Sequence, residues 1–107
     1  MSNSATTTET DIGNRLALPH PGEVLRSEFM EPMNLSVYAV AKAIGVPRSR
    51  INEIAHGRQG ISAAIALRLG TFFDVDPQWF MNMQSRHDLR LAEEAADVSG
   101  IVARRVA

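Results

Sequence analysis

The stretch that most constrains this chain is VAKAIGVPRSRINEIAHGR, residues 40–58. An apolar helical pattern stops at Gly45. Val46-Pro47 then restarts a helix whose outer positions are Arg48, Ser49, Asn52 and Glu53. Glycine closes a helix in the left-handed conformation at little cost, and proline is tolerated in a first turn because its missing N–H has no partner there. In the first helix Val37, Val40, Ala41 and Ile44 fall at i, i+3, i+4 and i+7, one apolar stripe, with Ser36 placed as its N-cap. In the second, Ile51, Ile54 and Ala55 make the buried side and Arg50 stands at the border.

The flanking segments read as helices too. Pro19 and Pro21 bracket the start of one that runs from Gly22 to about Met30, with Val24, Leu25 and Phe29 on one side, and Pro32 ends it. Ser62 caps a fourth, whose stripe is Ile65, Leu69, Phe72 and Phe73. Asp76-Pro77 opens a fifth, expected to run to about Asp97 with Ser99-Gly100 as its stop. No segment alternates with period two. The expectation is an all-α fold of five helices with short connections.

At 107 residues the chain is one domain. Residues 1–18 are polar and read as a flexible N-terminal tail, residues 19–98 as the folded domain with 36–56 at its heart, and residues 99–107 as a C-terminal tail. There is no cysteine, hence no disulfide framework or thiolate site. No apolar run approaches the roughly 18 residues of a membrane span, and the N-terminus lacks a signal-peptide pattern. A soluble, cytoplasmic protein without membrane contact is expected. The net charge is −1, but its distribution is uneven. Residues 36–70 carry Lys42, Arg48, Arg50, Arg58 and Arg68 against Glu53 alone, a net of +4, whereas 1–35 sum to −3 and 71–107 to −2. An acidic partner would meet the central segment.

Helix, tight turn and a second helix with a polar outer face is the helix-turn-helix pattern. It suits duplex DNA, since the N-terminal end of the second helix can enter the major groove, where base edges carry a full donor and acceptor code. Arg48 can give two donors to guanine, Asn52 has the amide geometry for adenine, and Ser49 serves base or phosphate. Lys42, Arg50, Arg58 and Ser36 are better placed for phosphates. Glu53 reads as a local salt bridge with Arg50. His56 reads as a helix C-terminal residue favoured by the dipole, and His87-Asp88 as a solvated pair. His20, His56 and His87 lack metal-ligand spacing, and no P-loop, G-x-S-x-G or H-E-x-x-H occurs. No metal, cofactor or enzymatic activity is expected. The last helix offers a candidate dimer seam in Trp79, Phe80, Met83 and Leu91, with at least one of Trp79 and Phe80 completing the core instead.

The run LSVYAVAKAIGVPRSRINEIAHGRQGIS resembles the Cro/C1-type (XRE) helix-turn-helix, with its lambda-repressor-like fold and here a long C-terminal helix. HPGEVL, RINEI, ALRLGTFF and WFMNMQ, spread over residues 20–89, extend the resemblance to the HigA-type (VapI-related) antitoxins. That resemblance implies a homodimeric repressor binding a palindromic operator in its own promoter. It also implies a small, basic, RelE-like toxin that cleaves mRNA and that the protein neutralises. The family's DNA-reading positions fall on Ser36, Arg48, Ser49, Arg50 and Asn52. Two rivals stay open: a stand-alone XRE regulator without a toxin, and a protein-interaction module that has lost DNA binding.

Overall fold

The computed structural model describes residues 19–106, so the tail expected at 1–18 lies outside the described residues. Five helices and no strand occur among them. Helix α1 (Pro21–Val24) passes without a break into a π-helical stretch (Leu25–Met30). A uniform α-helix was expected here. In a π-helix the bonds run i to i+5, which brings residues five apart towards one side, and Leu25 and Met30 are both buried. The chain then turns through residues 31–34 and enters α2 (Val37–Ile44), where the Ser36 hydroxyl accepts from the Ala39 N–H at 3.0 Å.

Gly45 closes α2 at φ 75°, and the Gly45 and Val46 N–H groups both donate to the Ala41 carbonyl. A residue with a Cβ is strained in that left-handed conformation. After Pro47 comes α3 (Arg48–Ala55), then a loop to α4 (Ala63–Phe73), capped by Ser62 through the Ile65 N–H. The Asp76 carboxylate caps α5 (Pro77–Ala95) at the Gln78 N–H. The helix ends two residues before the expected Asp97: Ala96 is already extended, and beyond it the Asp97 carboxylate accepts from Ser99 in a separate turn.

One apolar cluster joins all five helices: Leu25, Val40, Ile51, Ile54, Leu69 and Phe80 are fully buried in it, with Ile61 from the loop. Two expectations change here. Phe80 is 0% exposed and belongs to the intramolecular core, so it is unavailable to a dimer seam. Phe72 is 40% exposed rather than part of the α4 stripe, because Ile65, Ala66, Leu69 and Gly70 form the buried side and turn Phe72 to its flank.

The loop after α3 is held by Gln84, which is nearly buried. Its side-chain oxygen accepts from the Ile61 N–H at 2.7 Å and its amide donates to the Asp88 carboxylate at 2.8 Å. Asp88 is therefore turned to Gln84, and His87 instead meets His20 edge to face, ring centres 4.8 Å apart. His20 Nδ1 accepts from the Gly22 N–H at 2.9 Å and caps α1, which fixes that nitrogen in its unprotonated form. Burial, and then the neighbouring His87, lower the pKa of His20, against weaker opposition from Glu23 and Asp88.

Two predictions follow from this corner. A Cβ on Gly22 would stand 1.6 Å from the Ile54 carbonyl oxygen. Gly22→Ala should therefore cost about 3 kcal/mol or more, as overpacking against immovable backbone does, measured by urea unfolding. The folded state holds His20 neutral at a pH where the unfolded chain takes up a proton, so acid favours unfolding. Stability should fall as the pH drops below 6.5, the ordinary histidine value, and level off once folded His20 protonates. His20→Asn keeps an acceptor without titrating and should flatten that part of the melting-temperature profile.

Candidate nucleic-acid interface

The polar end of α3 is presented by clamping its other end. The last carbonyls of a helix lack intrahelical partners and carry the negative end of its dipole. In α3, Arg26 donates from Nη1 to the Ala55 carbonyl, and the Gly57 N–H donates to the Ile54 carbonyl at 3.0 Å. His56 Nδ1 lies 2.8 Å from the Asn52 carbonyl, which fits the expected C-terminal role. Helix α2 is stapled in the same way, since Arg68 Nη1 donates to the Ile44 carbonyl at 2.6 Å. Each helix of the pair thus has an arginine from a neighbouring helix on its last turn.

At the opposite end, Arg48 and Ser49 are exposed and Asn52 half-buried. With Val37 they line an open cleft where the start of α2 meets α3. Among the described residues no side-chain hydrogen bond engages Arg48, Ser49 or the Asn52 amide, so their donors and acceptors face outward unspent. Ser36 stands beside them as the α2 cap. The structure therefore brings together Ser36, Arg48, Ser49 and Asn52 at one edge.

The remaining cations are differently placed. Arg50 is half-buried; its Nη2 donates to the Ser62 hydroxyl at 3.3 Å, and its buried Nε has no partner among the described residues. Glu53, expected to pair with Arg50, pairs with Arg58 instead, in a two-pronged contact of 2.9 and 3.0 Å. Gly57 at φ 76° redirects the chain so that Arg58 folds back on the helix it has just left, a reversal that linear spacing did not reveal. Hydrogen bonding from Arg58 holds the Glu53 carboxyl below its usual pKa and raises the guanidinium's in turn. Both groups are exposed, so solvent screens the pair and a phosphate can compete for Arg58. Lys42 Nζ sits 5.9 Å from the centre of the Tyr38 ring. Tyr38, 56% exposed, escaped the sequence reading. The available signal was an aromatic lying off the apolar stripe, two residues after the cap.

The expected seam residues divide. Trp79 and Met83 line a groove with Pro19, Val24, Arg86 and His87, and Leu91 lies apart on the outer half of α5 at 52% exposed. Among the described residues no helix is long and apolar enough to cross a membrane.

The α2–turn–α3 unit on this five-helix scaffold defines a helix-turn-helix protein, and the comparisons agree. The helix-turn-helix family model matches residues 27–80. Virulence-associated protein I of Dichelobacter nodosus is 49% identical over 81 residues, covering 76% of this chain and 75% of that protein. The structure of Pseudomonas aeruginosa antitoxin HigA with the higBA promoter superposes with a TM-score of 0.71 at 43% identity, over 72% of this chain and 84% of that one. Antitoxin GraA in complex with its operator gives 0.76 at 43% identity, over 83% and 92%. The chain belongs to the helix-turn-helix family, among the HigA-type antitoxins.

The arginine staples give a third prediction. Arg68→Met and Arg26→Met each keep the apolar stem and remove a charged donor from a helix-end carbonyl. Each should lower unfolding free energy by about 1–3 kcal/mol, read from denaturant titrations, with helix content in the native baseline unchanged.

Proposed function

We propose that this protein is a dimeric transcriptional repressor of its own operon, acting in the cytoplasm as the antitoxin of a type II toxin–antitoxin module. Its operator is palindromic, and its second partner is a small, basic, RelE-like mRNA-cleaving toxin that it neutralises. The observation that carries the reading is the edge formed by Arg48, Ser49 and Asn52 beside the capped start of α2, with their polar groups unspent. The operator-bound HigA and GraA relatives support it.

In this reading α3 enters the major groove by its N-terminal end. Arg48 gives two donors to guanine O6 and N7, Asn52 pairs with the adenine edge, and Ser49 bonds a base or an adjacent phosphate. Ser36 and the free N–H groups of the first turn of α2 receive a phosphate, with the helix dipole favouring the negative charge. Lys42 adds charge, held near the backbone by Tyr38. Arg50 and Arg58 reach phosphates by exchanging Ser62 and Glu53 for DNA. Two copies on a two-fold axis read the two halves of the operator.

Binding to operator and random duplex across a salt series tests this. Log affinity should fall linearly with log salt, with a slope of about −0.9 per neutralised phosphate. Arg48→Ala should cost about 1–3 kcal/mol on operator DNA and relax preference at one base position, whereas Lys42→Ala should weaken all sequences alike and reduce the slope by about one. Glu53→Gln releases Arg58 and should steepen the slope. A flat salt response would sink the DNA reading, and equal losses on operator and random DNA for Arg48→Ala would remove its base-reading role. Affinity purification from native cells tests the toxin: a stoichiometric small basic protein encoded in the adjoining gene is expected, and operator binding without it would leave a stand-alone regulator.

A further inference from the structure

The polar edge at the start of α3 contains one apolar side chain. Val37 lines the cleft with Arg48, Ser49 and Asn52, and it comes from the first position of α2, not from α3. It opens the stripe that α2 turns to the core, yet it is placed differently from the rest of that stripe. Val40, Ala41 and Ile44 are 0%, 2% and 6% exposed, whereas Val37 is half-buried. One side of it packs against the core cluster and the other opens into the cleft.

Its position is fixed before any ligand arrives. The Ser36 hydroxyl holds the first turn of α2 through the Ala39 N–H, and Arg68 grips the other end at the Ile44 carbonyl. A valine in a helix has essentially one rotamer about its Cα–Cβ bond, so little side-chain freedom is lost on contact. Its methyl groups form no hydrogen bond and add nothing at a phosphate or at the donor and acceptor atoms of a base. In the major groove the base edges offer one apolar group, the C5 methyl of thymine.

We infer that Val37 is a specificity-determining residue that reads a thymine methyl in the operator. This deepens the repressor reading of the proposed function and rests on it. The thymine lies within the few base pairs that Arg48, Ser49 and Asn52 span, because the four side chains share one cleft. The polar three select by donors and acceptors, and Val37 selects by what it cannot bond. A cytosine in the same place presents its N4 amino group instead of a methyl, and a donor stripped of water against valine has no partner. Helix α2 thus contributes to sequence choice through its first side chain, besides holding the backbone.

Binding of the full chain to duplex from its own promoter, with thymine replaced by deoxyuridine one position at a time, decides it. Deoxyuridine lacks the C5 methyl and keeps every hydrogen-bonding atom, so a loss reports the methyl alone. The wild type should lose about fourfold in affinity at one thymine of a half-site, the worth of one methyl-sized apolar group withdrawn from water. Val37→Ala draws the side chain back from the groove and should bind the thymine and deoxyuridine duplexes alike, whereas Val37→Ile should keep the preference. Each variant is compared with itself on two duplexes, so a loss of folded protein cancels and a merely structural role would leave the ratio unmoved. Equal wild-type affinity for thymine and deoxyuridine at every position overturns the inference, as does a methyl effect that survives Val37→Ala undiminished. Either result leaves the repressor reading standing while promoter duplex is still preferred over random duplex. A wild type without that preference defeats the repressor reading and the inference with it.

Discussion

The carbonyl end of α3 is the point on which the rest of this structure depends. Gly22 lies against the Ile54 carbonyl so closely that no side chain fits between them, and Arg26 donates to the next carbonyl, Ala55. Both contacts come from the first helical segment, and His20, which caps that segment, is braced by His87 of the last helix. Helix α3 spans only Arg48–Ala55 and would be marginal alone, since a helix so short gains too few hydrogen bonds to offset nucleation. Tertiary contacts at its C-terminal end and on its Ile51–Ile54 face hold it, which leaves the N-terminal end clear.

That division of labour also governs the charges. The central segment sums to +4, yet its cations are not one pool. Arg68 is spent on a helix end, Arg50 braces the start of α4, and Arg58 is countered by Glu53. Arg48 and Lys42 remain the outward-facing charges, beside Ser49 and Asn52. A ligand with many negative charges can recruit Arg58, because an exposed ion pair is weak and exchanges readily.

The fold was legible because its determinants are local. The Ser36, Ser62 and Asp76 caps, the Gly45 stop and the Pro77 start lie within a few residues of the helix ends they define, and each acts there as read. Most of the polar edge of α3 was legible for the same reason: a helix's period fixes which side chains share a face, and Arg48, Ser49 and Asn52 line one cleft. What escaped depended on residues distant in sequence or on a change of chain direction. Glu53 took Arg58 rather than Arg50 because Gly57 reverses the chain. Which of Trp79 and Phe80 completes the core, left open by the sequence, was decided for Phe80, and His87 turned to a histidine 67 positions earlier rather than to solvent.

By itself, then, the sequence determined the number of the helices, their caps and the polar edge of α3, because caps, periodicity and left-handed glycines act over one or two turns. The tertiary structure decided which arginines are available and which are consumed, how Gln84 holds the loop after α3, and which apolar residues of α5 remain on the surface. Those outcomes are set by which groups meet across the core, and burial, with the need of each enclosed polar group for a partner, is a property of the assembled chain.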